Sequence, residues 1–103
     1  MARGPFPHLW NGSHLDWPAL VVSYTLFNKH TGLVLACPIT NTDRHFPFHV
    51  PVPPTTSLSG YIMVELLKSI DFSSRKVKFV EKAPQPTIDE VLSILDACLY
   101  NSP

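Results

Sequence analysis

Hydroxyl and cationic side chains gather in the middle of the chain, directly after an apolar run. Thr40 and Thr42 follow the run at residues 33–39, and Arg44 comes two residues later. Threonine hydroxyls can donate hydrogen bonds to phosphate oxygens, and a guanidinium can bind a phosphate through two parallel hydrogen bonds. The segment could therefore bind a phosphate at a strand end. Composition alone does not choose between it and the other available cations, which are Lys68 and the group Arg75, Lys76 and Lys78.

The histidines and cysteines form no recognised catalytic or metal-binding pattern. The five histidines are scattered, and His45 and His49 are too far apart on a strand to share a site unless the fold brings them together. A metal site needs at least three convergent ligands, so we expect no metal and no cofactor. Glycine-rich phosphate loops, HExxH and GxSxG are absent from the sequence. Cys37 and Cys98 lie in apolar runs, which predicts two thiols packed in the core.

Length and composition limit the possible classes of protein. The 103 residues suit one domain, 1–103, and the 45% of hydrophobic residues can form a core. Eight basic and eight acidic residues cancel, so a nucleic acid would have to bind a local patch. No apolar run approaches the ~20 residues that span a membrane. Since a secretory signal is also absent, we expect a cytoplasmic protein.

Short apolar runs between turn residues predict a mostly β fold. The runs at residues 19–24 and 33–39, joined by turn residues at 28–32 (NKHTG), predict a β-hairpin. Residues 46–52 alternate and contain prolines, which is typical of an edge strand. Further strands are predicted over residues 60–67, with a continuation at 68–72 after a bend, and over 75–80, whose basic face is more simply a solvated sheet face.

The two ends of the chain differ in regularity. Residues 1–17 follow neither a strand nor a helix period, and we predict irregular structure with one short strand near residues 8–10.

After Pro86, Thr87 and Glu90 form a T-x-x-E capping box that predicts the start of a final helix. Its apolar face falls at helical spacing and should pack on the sheet; it consists of Ile88, Val91, Leu92, Leu95, Cys98 and Leu99. The predicted class is a mostly β barrel or partly open sheet with a C-terminal α-helix.

Two blocks of the sequence resemble the MazF/PemK toxins. Residues 18–52, PALVVSYTLFNKHTGLVLACPITNTDRHFPFHVPV, resemble the family progression RPALVLSP…NxxTG…VxPIT…YPFxV. Residues 59–75, SGYIMVELLKSIDFSSR, resemble SGVVLADQIKSIDWRAR. The resemblance implies an SH3-like small barrel of the MazF/CcdB type with a C-terminal helix.

The resemblance also implies a function. Such a protein would be the homodimeric toxin of a type II toxin–antitoxin system, inhibited by a cognate antitoxin protein. It would be a metal-independent, sequence-specific endoribonuclease that cleaves single-stranded mRNA through the 2′-hydroxyl and leaves a cyclic phosphate. A gyrase-poisoning toxin on the same barrel is a further possibility, against which the PIT and KSID blocks argue.

The site residues follow position by position from the resemblance. Thr40 matches the catalytic threonine of PIT, and Lys68 matches the lysine of KSID. The expected RNA-binding residues are Asn41, Thr42, Arg44, Lys68 and, as a further nearby cation, Lys29. The cleavage motif would be read by the loops around residues 28–31 and 41–45.

The chain departs from the family pattern at several positions. The family arginine would fall at Trp17, because this chain has DWPA in place of RPA. A tryptophan cannot bind a phosphate bidentately or offset its charge, so the alternative function is that of a catalytically impaired homologue. Such a homologue would dimerise and bind antitoxin or RNA without cleaving. The usual opening strand is reduced to Leu9-Trp10, which predicts an exposed sheet edge, and Glu65-Leu66 replaces Asp-Gln.

Overall fold

A computed structural model describes residues 8–11, 18–71 and 79–100 of the chain. Within these residues, strands precede a long C-terminal helix, and a short helix is inserted between the second and third strands. The elements in chain order are β1 (His8–Asn11), β2 (Pro18–Val21), α1 (Thr25–Thr31), β3 (Leu33–Thr40), β4 (His49–Pro51), β5 (Tyr61–Met63), a short 3-10 helix (Val64–Leu66), β6 (Lys68–Asp71), β7 (Phe79–Lys82) and α2 (Gln85–Tyr100).

The strands form one antiparallel sheet in the order β4-β5-β3-β2-β1-β7, with β6 also paired to β3. One edge of β3 pairs with β2, for example Leu20 with Cys37. Along its other edge, β5 pairs with the end of β3 and β6 with its beginning. The predicted strand at residues 60–67 is thus wrong in its second half, because the 3-10 helix bends the chain before it rejoins β3. The edge strand predicted at 46–52 is confirmed, since β4 ends the sheet.

Two apolar clusters cover the two faces of β3. Because side chains alternate along a strand, Cys37 and Ile39 enter the larger cluster and Val34 and Ala36 enter the smaller one. The larger cluster consists of Leu20, Cys37, Ile39, Val50, Val52, Ile62, Val64, Ala83, Ile88 and Val91. The smaller consists of Ala19, Val21, Val34, Ala36 and Ile70. Burial on both faces explains the uninterrupted apolar run of β3.

The connection between β2 and β3 is a helix, so the predicted direct hairpin is wrong although the two strands do pair. The turn residues form the C-terminal end of α1, where Gly32 (φ 71) donates its N–H to the Asn28 carbonyl at 3.0 Å. Asn28 is buried. In the amide orientation that satisfies its hydrogen bonds, its side-chain nitrogen donates to the carbonyls of Tyr24 and Leu33, each at 3.2 Å. The Ser23 hydroxyl accepts the Leu35 N–H at 2.9 Å. These buried polar groups fasten α1 to the start of β3.

Helix α2 begins at Gln85, earlier than the capping box predicts. The backbone N–H groups of Thr87 and Ile88 donate to the Pro84 carbonyl at 3.1 and 3.2 Å, so Thr87 lies inside the first turn and is buried. Pro86 fits there because first-turn N–H groups have no helical partner in any case. No helix in the described residues is long and apolar enough to cross a membrane.

The apolar face of α2 is covered only along its first half. Ile88 and Val91 are fully buried, and Leu92 and Leu95 pack partly against the larger cluster. Leu99 is 72% exposed and Cys98 is also exposed. The prediction that Cys98 packs in the core is therefore wrong, because residues 96–100 of the helix are all exposed, whereas the prediction for Cys37 is confirmed.

The strand predicted near residues 8–10 is confirmed as β1. It pairs with β2, for example Leu9 with Leu20, and with β7 on its other side. The expected exposed edge at β2 is therefore wrong, because β1 occupies that edge. Trp17 and the basic group at residues 75–78 lie outside the described residues.

Gly60 allows the β4–β5 connection to approach the end of β3. Its φ of 124 lies outside the left-handed helical well, and an added Cβ would overlap the Thr40 carbonyl oxygen and lie 3.1 Å from the Ile39 Cγ2.

We expect Gly60→Ala to lower the free energy of unfolding by about 2 kcal/mol or more, from backbone strain plus overlap. Urea unfolding followed by circular dichroism measures this loss. Gly32→Ala is the matched control, since φ 71 costs a side chain only about 1–2 kcal/mol; equal losses for the two variants would contradict the explanation.

Glu81 ties the loop before β5 to β7. Its Oε1 accepts hydrogen bonds from the Ser57 hydroxyl and, at 2.6 Å, from the Ser57 N–H. Both bonds hold the pKa of Glu81 below its ordinary value of 4.5. The bond from the Ser57 hydroxyl has the larger effect.

A pKa lowered by folding predicts a specific acid sensitivity. The contribution of Glu81 to stability is fully present above the unfolded-state pKa and is lost as the pH falls through the folded-state pKa. The thermal midpoint of Glu81→Gln should therefore fall less than that of the wild type as the pH drops below 4.5. Ser57→Ala keeps one of the two donors and should behave in between. Parallel acid profiles for the wild type and Glu81→Gln would show that the bond does not form.

Candidate functional site

Thr40 lies at the exposed end of β3, as predicted. It is the last residue of the strand, is partly exposed and is paired with Tyr61 of β5. Since its neighbour Ile39 points into the larger apolar cluster, alternation directs Thr40 to the opposite face. Its Oγ1 lies 3.2 Å from the Thr42 N–H, which donates to it. The hydroxyl proton remains available to donate to a ligand.

The loop after Thr40 presents polar side chains to solvent. Residues 41–46 are all exposed. His45 adopts a left-handed conformation (φ 51), and its N–H donates to the Asp43 Oδ1 at 2.9 Å. This local bond compensates part of the cost of a positive φ at a residue other than glycine. Arg44 lies between these two residues and extends toward a pocket.

A pocket of about 370 Å³ adjoins this loop. It is lined by Arg44, Phe46, His49, Met63, Glu65 and Leu66. The Phe46 ring meets the His49 ring edge to face at 5.3 Å and the Phe48 ring in the same manner at 5.4 Å. Phe46 remains 42% exposed, so a flat ligand has an aromatic surface to contact.

A histidine–carboxylate pair forms one wall of the pocket. The Nε2 of His49 lies 3.0 Å from the Glu65 Oε2, and the two side chains are 4% and 28% exposed. Because a carboxylate only accepts hydrogen bonds, the proton of a neutral imidazole must be on Nε2. The other ring nitrogen, Nδ1, is buried and has no hydrogen-bond partner among the residues that the structure describes.

Thr40 and the pocket share one face of the sheet. Ile62 and Val50 point into the larger cluster, so Tyr61, Met63 and His49 point away from it, as Thr40 does. With strands ~4.8 Å apart and a rise of ~3.3 Å per residue, Thr40 is ~8 Å from Met63 and ~12 Å from His49. One extended ligand could therefore contact both places.

The predicted site residues are brought together only in part. Asn41, Thr42 and Arg44 lie in the exposed loop directly beside Thr40. Lys68 is exposed on β6 opposite Ala36, which places it ~13 Å along β3 from the level of Thr40. Lys29 is exposed on α1, the helix that precedes the other end of β3.

Sequence reasoning missed His49, Glu65 and Phe46 as a group. His49 and Glu65 are 16 positions apart, and their contact depends on the pairing of His49 with Met63. No local spacing could reveal that register. A usable signal was the replacement of the family's Asp-Gln by Glu65-Leu66, next to a strand that carries a histidine.

Cys37 is chemically inert despite its proximity to this wall. Burial, and to a smaller extent the charge of Glu65, raises the pKa of the Cys37 thiol to about 12. It therefore stays protonated and is a poor nucleophile. Within residues 18–71 and 79–100, no group of three or more histidine, cysteine or acidic side chains is arranged to hold a metal ion.

Comparison with known proteins identifies relatives of this architecture. Residues 12–99 match the family described as the PemK-like, MazF-like toxin of type II toxin–antitoxin systems. A chain of the MazE–MazF complex (Form-II) from Deinococcus radiodurans superposes with a TM-score of 0.85 at 31% identity, covering 99% of this chain and 100% of that one. MazF (Form-I) from the same organism gives 0.83 at 29%, covering 96% and 98%.

A more distant structure supports the fold alone. An endoribonuclease from a mycobacterial species has a TM-score of 0.80 at 22% identity and covers 100% of this chain and 98% of its own. Comparison with curated protein sequences gave no match. The predicted class, mostly β with a C-terminal helix in the manner of MazF, is confirmed. Since the family match spans most of its length, this chain belongs to the PemK-like, MazF-like toxins of type II toxin–antitoxin systems.

Proposed function

We propose that this chain is the toxin of a type II toxin–antitoxin pair and acts as a metal-independent, sequence-specific endoribonuclease on single-stranded mRNA. The observation that carries the proposal is the position of Thr40. Its hydroxyl is at an exposed strand end, with Arg44 four residues on in an exposed loop. A hydroxyl donor and a fixed positive charge are what phosphate recognition requires.

The reaction uses a nucleophile that belongs to the RNA itself. The 2′-oxygen attacks the adjacent phosphorus, so that the O2′–P bond forms and the P–O5′ bond breaks. The 2′-hydroxyl loses a proton and the departing 5′-oxygen gains one, which leaves a cyclic phosphate and a 5′-hydroxyl. In this scheme Thr40 donates a hydrogen bond to a non-bridging phosphate oxygen, and Arg44 offsets the charge that develops there.

Binding of single-stranded RNA would extend from Thr40 into the pocket. Unpaired bases are recognised by stacking on aromatic rings and by hydrogen bonds to their edges. Phe46 offers the ring, and Asn41 and Thr42 offer hydrogen-bonding groups close to Thr40. Lys68 and Lys29 would contact more distant phosphates, where a charge acts without base specificity.

A second candidate function follows from Trp17. The family arginine is replaced there, so an impaired homologue would still bind RNA or the antitoxin but would not cleave. The two candidates differ in one assay. Discrete fragments of a long RNA in the presence of EDTA support the first, and antitoxin or RNA binding without cleavage supports the second.

We further propose a homodimer that binds a cognate antitoxin in the cytoplasm. The similar Form-II chain from Deinococcus radiodurans comes from a complex of MazE with MazF, which supports an antitoxin partner for this chain. The dimer and the compartment rest on the resemblance to the family. Sedimentation of the purified protein, alone and with the product of a neighbouring open reading frame, tests both associations.

Thr40→Ala should lower the rate of RNA cleavage by ~10²-fold or more, because one preorganised donor to the phosphate is lost. Fragment formation from a long RNA in EDTA gives the rate. Thr40→Ser is the matched control, since it keeps the hydroxyl and the bond from the Thr42 N–H. Undiminished cleavage by Thr40→Ala would show that the site has been transferred to the wrong residue.

Trp17→Arg should raise the cleavage rate, by about tenfold or more, because a guanidinium can bind the phosphate in two places. Trp17→Gln controls for removal of the indole, and Trp17→Lys supplies charge without the planar fork. The order Arg above Lys above Gln is expected in the same EDTA assay. If Trp17→Arg is no faster than the wild type, the missing arginine does not limit this chain.

A further inference from the structure

The two ring nitrogens of His49 have different surroundings. A buried acceptor without a hydrogen-bond partner destabilises the folded state, and an apolar ring of similar shape would avoid that loss. The His49 side chain is 4% exposed, and its Nδ1 has no partner within the part of the chain described. The polar contact of the ring within the described residues is the hydrogen bond that Nε2 donates to Glu65.

That hydrogen bond leaves Glu65 with one oxygen for a ligand. The Oε2 is held at 3.0 Å by a ring that is itself fixed by burial and by its edge-to-face contact with Phe46. The Oε1 has no hydrogen-bond partner among the described residues, and the side chain is 28% exposed at the pocket. The pocket wall thus carries a strong, oriented acceptor that offers no donor.

The other lining residues suit a flat, mostly apolar ligand. Phe46, Met63 and Leu66 provide apolar surface, and Arg44 lies on the same pocket toward Thr40. A ligand that satisfies all three features is an aromatic ring with an N–H donor at its edge and an adjacent phosphate. Within the proposed function, that ligand is a base of the RNA.

We propose that Glu65 is a specificity-determining residue and that His49 is its positioning residue, together selecting an RNA base with an exocyclic amino group. This inference rests on the proposed function. Cytosine donates from its N4 amino group to a carboxylate, whereas uracil presents the O4 carbonyl oxygen at the same position. Two acceptors facing each other repel, and the one edge donor of uracil, N3–H, lies between two carbonyl oxygens, so the pocket should prefer cytosine to uracil although the two bases have the same size. Adenine, which also carries an exocyclic amino group, should follow cytosine.

Binding of uncleavable oligonucleotides tests the pair directly. The probes are fluorescein-labelled 2′-O-methyl octamers of cytidine and of uridine, which place the same base at every position and cannot be attacked by a 2′-hydroxyl. Fluorescence anisotropy should show the wild type binding the cytidine octamer about tenfold more tightly than the uridine octamer. Glu65→Gln keeps the shape but adds a donor, and should reduce this preference to about twofold or less.

Variants of His49 separate positioning from structure. His49→Phe keeps a buried ring but removes the donor, and should lose most of the base preference while the thermal midpoint stays within a few degrees of the wild type. His49→Gln restores an N–H toward Glu65 and should recover part of the preference. If His49 only filled space, the base preference would not depend on whether the replacement is glutamine or phenylalanine.

The outcomes distinguish this inference from the proposed function. If the wild type cleaves RNA but binds both octamers equally, or if Glu65→Gln keeps the full preference, the inference is wrong and the proposed function stands. If His49→Phe keeps the preference, the positioning role is wrong. A wild-type protein that neither binds nor cleaves RNA overturns both proposals.

Discussion

The register of β3 is the constraint on which the rest of the structure depends. This strand pairs with β2 on one edge and with β5 and β6 on the other, so that Ala36 lies between Val21 and Lys68. Apolar clusters cover both of its faces. A slip of one residue would exchange the two faces, bury Thr40 in place of Ile39 and break three strand pairings at once. Because a slip would lose this burial and these pairings, the native register keeps the Thr40 hydroxyl at the surface.

The same register builds the pocket from segments distant in sequence. The pairing of Thr40 with Tyr61 sets the position of β5, and β5 in turn pairs His49 with Met63. The 3-10 helix then ends β5, and Glu65 of this helix contacts His49 at the start of the neighbouring strand β4. Two features in this region are unfavourable for stability: the positive φ of His45 and the buried Nδ1 of His49, which has no partner among the described residues. Features that break local rules in this manner concentrate at functional sites.

Local patterns predicted what local forces determine. The apolar runs of β2 and β3, the position of Thr40 at a strand end and the existence of α2 all follow from periodicity and burial. Helix α1 was missed because turn-forming residues occupy its C-terminal end, and no sequence pattern shows that Asn28 is buried with its amide beside the carbonyls of Tyr24 and Leu33. The capping box placed the start of α2 at Thr87, but the helix begins at Gln85. Thr87 is buried inside the first turn and does not act as the N-cap. The His49–Glu65 contact depends on strand register, which no spacing in the sequence encodes.

We propose that Thr40 and its surroundings promote attack by the RNA's own 2′-hydroxyl. The most direct test is the chemistry of the ends produced when the purified wild-type protein is incubated with a long RNA in EDTA. We expect discrete fragments with a cyclic phosphate on the upstream piece and a 5′-hydroxyl on the downstream piece. Fragments that carry a 5′-phosphate, or RNA that remains intact, would contradict it.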